Sequence, residues 1–141
     1  MSCDYLSVED VLAIHADQIE RYGGSQGVRD QAGLESAISR PQSGYYDGII
    51  PEAAAMWESL SQNHPFVDGN KRTSFAATHA FLFINGVQIT ADQDKTYSFV
   101  MDAFERKEMN FSTLEKWLSE NTMEREASQD RQLAEKKTRK K

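Results

Sequence analysis

Apolar residues recur along this chain at spacings of three and four, which is the repeat of amphipathic helices. The first such stretch follows Ser7, which has Asp10 three residues later, and it ends at Gly23-Gly24. A polar residue before the stretch and a glycine after it are the usual cap signals of a helix. Five more stretches with this repeat begin near residues 30, 51, 70, 92 and 112. Six helices with short links and almost no strand pattern predict an all-α fold, a compact bundle of about six helices.

The apolar face of each stretch predicts which residues are buried. The second helix is expected to end near Arg40, because Pro41 disfavours helical backbone in the residue before it. The third is expected to have Pro51 in its first turn, and the sixth to be capped by Ser112. The residues on the apolar faces of the second, third and fifth helices are Ala32, Leu34, Ala37, Ile38, Ala53, Ala54, Met56, Trp57, Leu60, Tyr97, Val100, Met101 and Phe104.

Residues 42–50 interrupt the helical repeat just before the third helix. Gly44 and Gly48 flank two tyrosines there. Such a composition predicts two short extended pieces or a loop rather than a helix. On the residues alone, this stretch is an ordinary connector whose tyrosines cover the core.

Length and composition are those of a single globular domain. The 141 residues, 39% of them hydrophobic, suffice for one sizeable core. No apolar run approaches the roughly 18 residues of a membrane span, and the start lacks the basic-then-apolar pattern of a secretion signal. We therefore expect a cytoplasmic protein with no membrane partner. The single Cys3 excludes an internal disulfide and gives no zinc-ligand spacing.

Charge divides the chain near residue 119. Residues 1–119 carry 17 acidic and 9 basic side chains, a net charge of −8, whereas residues 120–141 carry 5 and 7, a net charge of +2. The pattern predicts a helical domain over 1–119 and a charged C-terminal tail, mobile or a helical extension, over 120–141. The acidic domain argues against direct nucleic-acid binding, except through the basic run Lys136 to Lys141.

One segment concentrates chemically active side chains. Residues 64–73, which we call the signature segment, read His-Pro-Phe-Val-Asp-Gly-Asn-Lys-Arg-Thr. Pro65 and Asp68-Gly69 indicate a turn that leads into the apolar fourth helix. Residues 70–72 then occupy its first turn, where backbone N–H groups lack partners and the helix dipole is positive. Cations at that end oppose the dipole unless an anion lies between them, so the segment predicts a polyphosphate site.

The phosphates would be bound by four consecutive residues. Gly69, Asn70, Lys71 and Arg72 offer backbone amides, a side-chain amide and two cations. Each of them alone also fits a purely structural role, as a turn, a helix cap or part of a solvated first turn. Their combination in this order favours the phosphate site.

Three further side chains complete the predicted site. Asp68 would hold the Mg²⁺ that accompanies a nucleotide, since Mg²⁺ binds one or two carboxylates and the phosphates. His64 would take the proton of an attacking hydroxyl, because the ordinary pKa of histidine is about 6.5. Phe66 would point inward and anchor the loop.

The signature segment resembles the signature loop of the Fic/Doc family, and Lys71 matches its death-on-curing (Doc) toxin branch. The resemblance covers roughly residues 4–119 and implies the same helical fold. Further matches to the opening half of that branch are Tyr5-Leu-Ser-Val-Glu-Asp-Val, Tyr22-Gly-Gly, Arg29-Asp30, Leu34-Glu35-Ser-Ala and Arg40-Pro-Gln.

The resemblance implies a toxin that transfers a phosphoryl group from ATP, with Mg²⁺, to a hydroxyl of a protein target. For the Doc branch that target is the elongation factor that carries aminoacyl-tRNA, an elongation factor Tu-like protein, and the effect is arrest of translation. An antitoxin acting in trans is also implied. The family's built-in inhibitory motif needs Ser or Thr four residues before a Glu followed by Gly or Asn, but Lys116 precedes Glu120-Asn121 here.

The resemblance also assigns two surfaces. The family's flap, against which the target lies as an added strand, matches the region before the third helix, so Ser43, Gly44, Tyr45 and Tyr46 would dock the target. The antitoxin helix would lie in a groove near the signature segment. Tyr45, Tyr46 and Trp57 are its candidate lining.

Two alternatives remain at this point. Most Fic enzymes transfer AMP, but they have Gly where this chain has Lys71 and a second Arg where it has Phe75. Both departures weaken that interpretation. The other alternative is a non-catalytic helical binding module, which predicts that the His64 side chain is dispensable.

Overall fold

A computed structural model describes residues 3–125 and confirms the predicted all-α bundle. The six helices are α1 Val8–Tyr22, α2 Gln31–Ser39, α3 Ile49–Gln62, α4 Asn70–Ile84, α5 Gln93–Glu105 and α6 Phe111–Glu120. A 3-10 turn, Arg40–Ser43, follows α2, and two short strands, β1 Val87–Ile89 and β2 Thr122–Glu124, form an antiparallel pair. None of the helices in residues 3–125 is long and apolar enough to cross a membrane.

The helices begin at polar caps. Ser7 and Asp10 form the predicted capping box of α1, each side chain bonding the backbone of the other. The side chains of Asp30 and Asp92 cap α2 and α5 by accepting from the Gly33 and Lys95 amides, without a reciprocal bond. The predicted cap of the last helix was wrong by two residues: α6 is capped by Asn110, whose side chain accepts a hydrogen bond from the Thr113 amide.

The core lies around α3, which packs against α2, α4 and α6. The predicted apolar face of α3 is buried throughout, and Trp57 is 0% exposed. Its indole packs against the rings of Phe75, Phe99 and Trp117. Among the predicted core residues of α2, only Ala32 is exposed, because it lies on the face of the helix opposite Leu34 and Ile38.

The predicted face of α5 is a different case. Its apolar side chains are only partly covered: Tyr97 is 67% and Met101 39% exposed. Burial in α5 is confined to Thr96 and Ala103. The apolar repeat predicted the helix correctly, but much of that face borders an open groove instead of the core.

The strand pair was missed because three-residue strands are too short to show an alternating pattern. Residue Val87 pairs with Glu124, and Ile89 with Thr122. β2 lies beyond residue 119, so the described fold continues past the predicted domain boundary. The basic run Lys136 to Lys141 lies outside the described residues.

The connector before α3 contains no extended piece. Arg40 has helical backbone, φ −55° and ψ −45°, in spite of Pro41, and a 3-10 turn continues to Ser43. The loop alternative is confirmed for residues 44–48. Arg40 Nε donates to the Tyr46 hydroxyl at 2.7 Å, which ties the loop to the bundle, while Tyr45 is 83% exposed.

Candidate functional site

The signature segment is anchored on α1 through a buried ring pair. Phe66 is 1% exposed, as predicted, and its ring stacks on His15 with 3.9 Å between centroids and 5° between planes. The same histidine donates from Nε2 to the Asp68 carbonyl at 2.8 Å, since a carbonyl oxygen can only accept. His15 thus holds the segment at two points.

Asn70 closes the loop from the other side. Its Oδ1 accepts from the Phe66 amide at 3.0 Å, and its Nδ2 donates to the Phe66 carbonyl at 2.9 Å. The Asn70 side chain therefore bonds both backbone groups of Phe66, as the backbone of a neighbouring strand would. The predicted binding of phosphate by Asn70 stays a prediction; the contacts that the structure shows for its side chain brace the loop.

His64 lies at the surface, where the segment leaves α3. Its side chain is exposed, and its backbone φ is +45°, in the left-handed region that few residues other than glycine enter. Within residues 3–125, the imidazole makes no hydrogen bond. It is therefore open to an incoming proton donor.

Asp68 is held as an ionised carboxylate by the chain that follows α1. Its Oδ2 accepts from the Ser25 amide at 3.1 Å and its Oδ1 from the Gly69 amide at 2.8 Å. These two bonds lower the pKa of Asp68 below its ordinary value, with smaller contributions from the charges of Arg72 and His15. Each carboxylate oxygen keeps lone pairs for a cation.

The two cations of the segment are spread apart. Arg72 donates from Nη2 to the Gly23 carbonyl at 2.9 Å, and its guanidinium lies 5.8 Å from the Tyr22 ring centroid. Lys71 extends the other way, with Nζ 4.7 Å from the centre of the Phe104 ring on α5. Neither cation is paired with a carboxylate among the described residues.

The start of α4 offers donors between these cations. Gly69 is its N-cap, with φ +77°, and makes no side-chain cap bond. The first backbone bond of the helix runs from Thr73 to the Gly69 carbonyl, so the amides of residues 70–72 have no acceptor within the helix. The positive φ favours glycine at this position, and a Cβ there would lie 2.9 Å from Ile19 Cδ1, so that the isoleucine would have to shift.

A cavity of about 1050 Å³ joins these groups. Its floor is formed by α4 and α5, and the end of α1 closes one side. The predicted site residues on its wall are His64, Asp68, Gly69, Asn70, Lys71 and Arg72. Phe66 lies beneath the wall, as its anchoring role requires.

The predicted docking residues are not in this cavity. Ser43, Gly44, Tyr45 and Tyr46 are absent from its lining. The proposal that Trp57 lines a groove was wrong, because the indole is fully buried in the aromatic cluster. The apolar lining comes instead from α5, through the exposed Tyr97 and Met101 and the half-buried Val100 and Phe104.

A different segment lies against the signature segment. Residues 27–29 run antiparallel to residues 65–67: the Val67 amide donates to Gly27 at 3.0 Å, and the Arg29 amide to Pro65 at 2.7 Å. In such a pairing, the N–H and C=O of Val28 point away from the signature segment. Sequence reasoning missed this pairing, because a single backbone bridge is too short to show an alternating pattern.

No cluster of three or more His, Cys, Asp or Glu side chains that could hold a metal by itself occurs in residues 3–125. Asp68 is a single anionic ligand at the cavity wall. This donor set fits Mg²⁺ that arrives with phosphates, because that ion keeps water and phosphate oxygens as its other ligands.

The fold and site define a helical protein in which the first amides of one helix have no backbone partner and lie beside an accessible histidine. The Fic/DOC family model matches residues 5–82. The chain is 47% identical over 96 residues to Toxin Doc of Mycolicibacterium smegmatis, an alignment that covers 64% of this chain and 72% of that protein. It is 35% identical over 89 residues to Protein kinase doc of Escherichia phage P1, covering 60% and 71%.

The chain therefore belongs to the Fic/DOC family. The resemblance to the Doc branch inferred from the signature segment is confirmed.

The hydrogen bond from the Ser25 amide to Asp68 can be tested by a substitution at Gly24. A Cβ there would lie 2.7 Å from Asp68 Oδ2, so Gly24→Ala should push the carboxylate away from the Ser25 amide. The pKa of Asp68, measured by carboxyl NMR, should then rise towards its ordinary value. The stability that this lowered pKa confers is present at neutral pH and is lost as pH falls through the folded-state pKa.

Gly23→Ala is the matched control. Gly23 also has a positive φ, +86°, but no atom lies within 4 Å of a Cβ placed there. Both variants carry backbone strain of about 1–3 kcal/mol. An equal pKa of Asp68 in the two variants would show that the Ser25 contact is not what lowers it.

Proposed function

We propose that this protein transfers the γ-phosphoryl group of ATP to a hydroxyl of a protein target. The observation that carries the proposal is the common wall formed by His64 and the three free amides of α4. Phosphoryl transfer depends on positioning and on charge stabilisation, which these groups offer. The name of the phage relative, Protein kinase doc, supports the same reaction class.

In the proposed step, the hydroxyl oxygen of a Ser, Thr or Tyr attacks the γ-phosphorus and the bond to the β,γ-bridging oxygen breaks. His64 takes the hydroxyl proton, and ADP leaves with the electron pair of the broken bond. The exposed imidazole, which has no hydrogen bond in the described part of the chain, suits this task.

The phosphates would lie at the start of α4. There they accept from the amides of residues 70–72 and bring the two cations together. Lys71 would leave the Phe104 ring and Arg72 the Gly23 carbonyl, because a phosphate carries a negative charge that neither the ring nor a neutral carbonyl offers. Asp68 would hold Mg²⁺, which neutralises phosphate charge when bound.

Lys71 and Phe75 favour phosphoryl over AMP transfer. Phe75 lies on the cavity wall with its ring 5.6 Å from that of Trp57, so this position supplies no second guanidinium. Lys71 takes the place of the Gly found in AMP-transferring relatives of this family. The AMP alternative is retained as an outcome of the labelling experiment.

The target is expected to be an elongation factor Tu-like protein, and the effect arrest of translation. The free backbone edge at Val28 is better placed to dock it than Ser43 to Tyr46, because it lies beside the signature segment and the cavity. An extended target segment could add there as a strand.

An antitoxin acting in trans would occupy the groove over α5. The name of the mycobacterial relative, Toxin Doc, supports a toxin–antitoxin pair. Tyr97, Val100, Met101 and Phe104 form a partly exposed apolar wall that an amphipathic helix could cover. Such a helix would also block the way to His64, since one cavity contains both.

His64→Ala should abolish most phosphate transfer. The loss of a general base lowers the rate by about 10²–10⁴-fold. The melting temperature should change little, because the side chain is exposed. Activity within twofold of the unmodified protein would favour the non-catalytic binding module.

Lys71→Gly should lower phosphate transfer about tenfold or more, since a hydrogen bond to a charged group contributes about 1.5–3 kcal/mol.

The transferred group can be identified with labelled ATP. The protein is incubated with Mg²⁺, a bacterial lysate and ATP that is labelled at either the γ or the α phosphate, which distinguishes phosphoryl transfer from AMP transfer. Label should reach protein from the γ position only. Label from the α position alone would establish AMP transfer instead.

Expression of this chain alone should arrest growth, and co-expression with its neighbouring reading frames should restore it. Met101→Lys should weaken that rescue, because it places a charge on the apolar wall. Met123→Lys is the control: Met123 is 47% exposed, like Met101 at 39%, but lies on β2 outside the cavity. Unimpaired growth in every case, with soluble protein verified, would contradict the toxin–antitoxin pair.

A further inference from the structure

The left-handed backbone conformation of His64 must be stabilised by contacts with other residues. Its φ of +45° lies in the left-handed region, and the residue is neither glycine nor asparagine. The side chain is exposed and makes no ring contact or hydrogen bond among the described residues. Nothing that the imidazole itself touches explains why this conformation persists.

Arg29 supplies the hold through the His64 carbonyl. Its Nε donates to that oxygen at 2.9 Å and its Nη2 at 2.7 Å, so both arms of the guanidinium fork meet one acceptor. The Nη2 also donates to the Asn63 carbonyl at 3.2 Å. Bonds of this charge-assisted kind are among the stronger ones in proteins.

The backbone of the same residue fixes the next carbonyl. The amides of Arg29 and Asp30 donate to Pro65 O at 2.7 and 3.0 Å. Three consecutive carbonyls, at residues 63, 64 and 65, are therefore bound by this short segment. With the peptide planes on both sides of His64 oriented, its Cα–Cβ bond can point in one direction only.

A simpler role for Arg29 is that of a cation at the carboxyl end of α3. Such a cation interacts favourably with the helix dipole. That role would need only charge, and a lysine would meet it. The geometry differs from this expectation, because the fork meets the carbonyl of His64, beyond the Asn63 cap, with two donors.

We propose that Arg29 is a positioning residue that holds the His64 backbone in the left-handed conformation and so aims the imidazole at the cavity. Arg29 touches no reacting atom in this assignment. Its catalytic consequence rests on the proposed function, whereas its effect on His64 does not.

The direct test is histidine side-chain NMR on Arg29→Gln and Arg29→Lys. The chain has three histidines, and the His64 signal is assigned by its loss in His64→Ala. In both variants the His64 signal should shift and broaden, because the ring samples several orientations. His79 on α4 serves as the internal reference and should be unchanged.

The kinetic test compares kcat and KM for ATP in the same variants. Both should lose about ten- to a hundredfold in kcat, the effect of misplacing a catalytic group by about 1 Å, with KM for ATP within twofold. Arg21→Gln is the matched control, since Arg21 is an exposed cation of α1 paired only with Asp17. It should leave kcat and the His64 signal as they are.

The outcomes separate the two proposals. An unshifted His64 signal in Arg29→Gln, or an Arg29→Lys protein that behaves like the unmodified one, would overturn the positioning role. If the unmodified protein transfers no label from ATP while the His64 signal still depends on Arg29, the proposed function fails and the positioning role stands.

Discussion

The stacked pair of Phe66 and His15 is the contact on which the site depends. It buries the middle of the signature segment against α1, and the same histidine donates a hydrogen bond to the Asp68 carbonyl. The ends of the segment then have little freedom. His64 and the free amides of α4 lie on the wall of one cavity. The link between α3 and α4, residues 63–69, is thereby fixed to α1 at its middle.

The site is built mainly from bonds to backbone groups. Asn70 brackets Phe66, the Ser25 amide holds Asp68, and Arg29 holds the His64 carbonyl. Among the described residues, this arrangement leaves the His64 imidazole and the first amides of α4 without hydrogen-bond partners. It also lowers the pKa of Asp68, so that the carboxylate stays ionised to a lower pH than an ordinary aspartate does. Positioning in advance of the substrate is what phosphoryl transfer requires of a protein.

The two cations of the signature segment point away from each other. Lys71 and Arg72 both lie near free helix amides, an unfavourable place for positive charge. They are drawn apart, one towards the Phe104 ring and the other towards the Gly23 carbonyl. In the function proposed above, a bound polyphosphate would bring the two cations together, because it would satisfy both of them and the amides at once.

The sequence by itself determined the helices, the cap of α1, and the place of the signature segment at the start of α4. These features are local, since a cap or an apolar repeat is written within a few residues. The tertiary structure alone decided which groups hold the segment. His15 and Asp68 are 53 residues apart, and Arg29 and His64 are 35 apart. Their bonds end on backbone carbonyls, which are the same in every residue and leave no mark in the sequence. For the same reason, the α5 repeat predicted a helix face but could not show that it borders a groove.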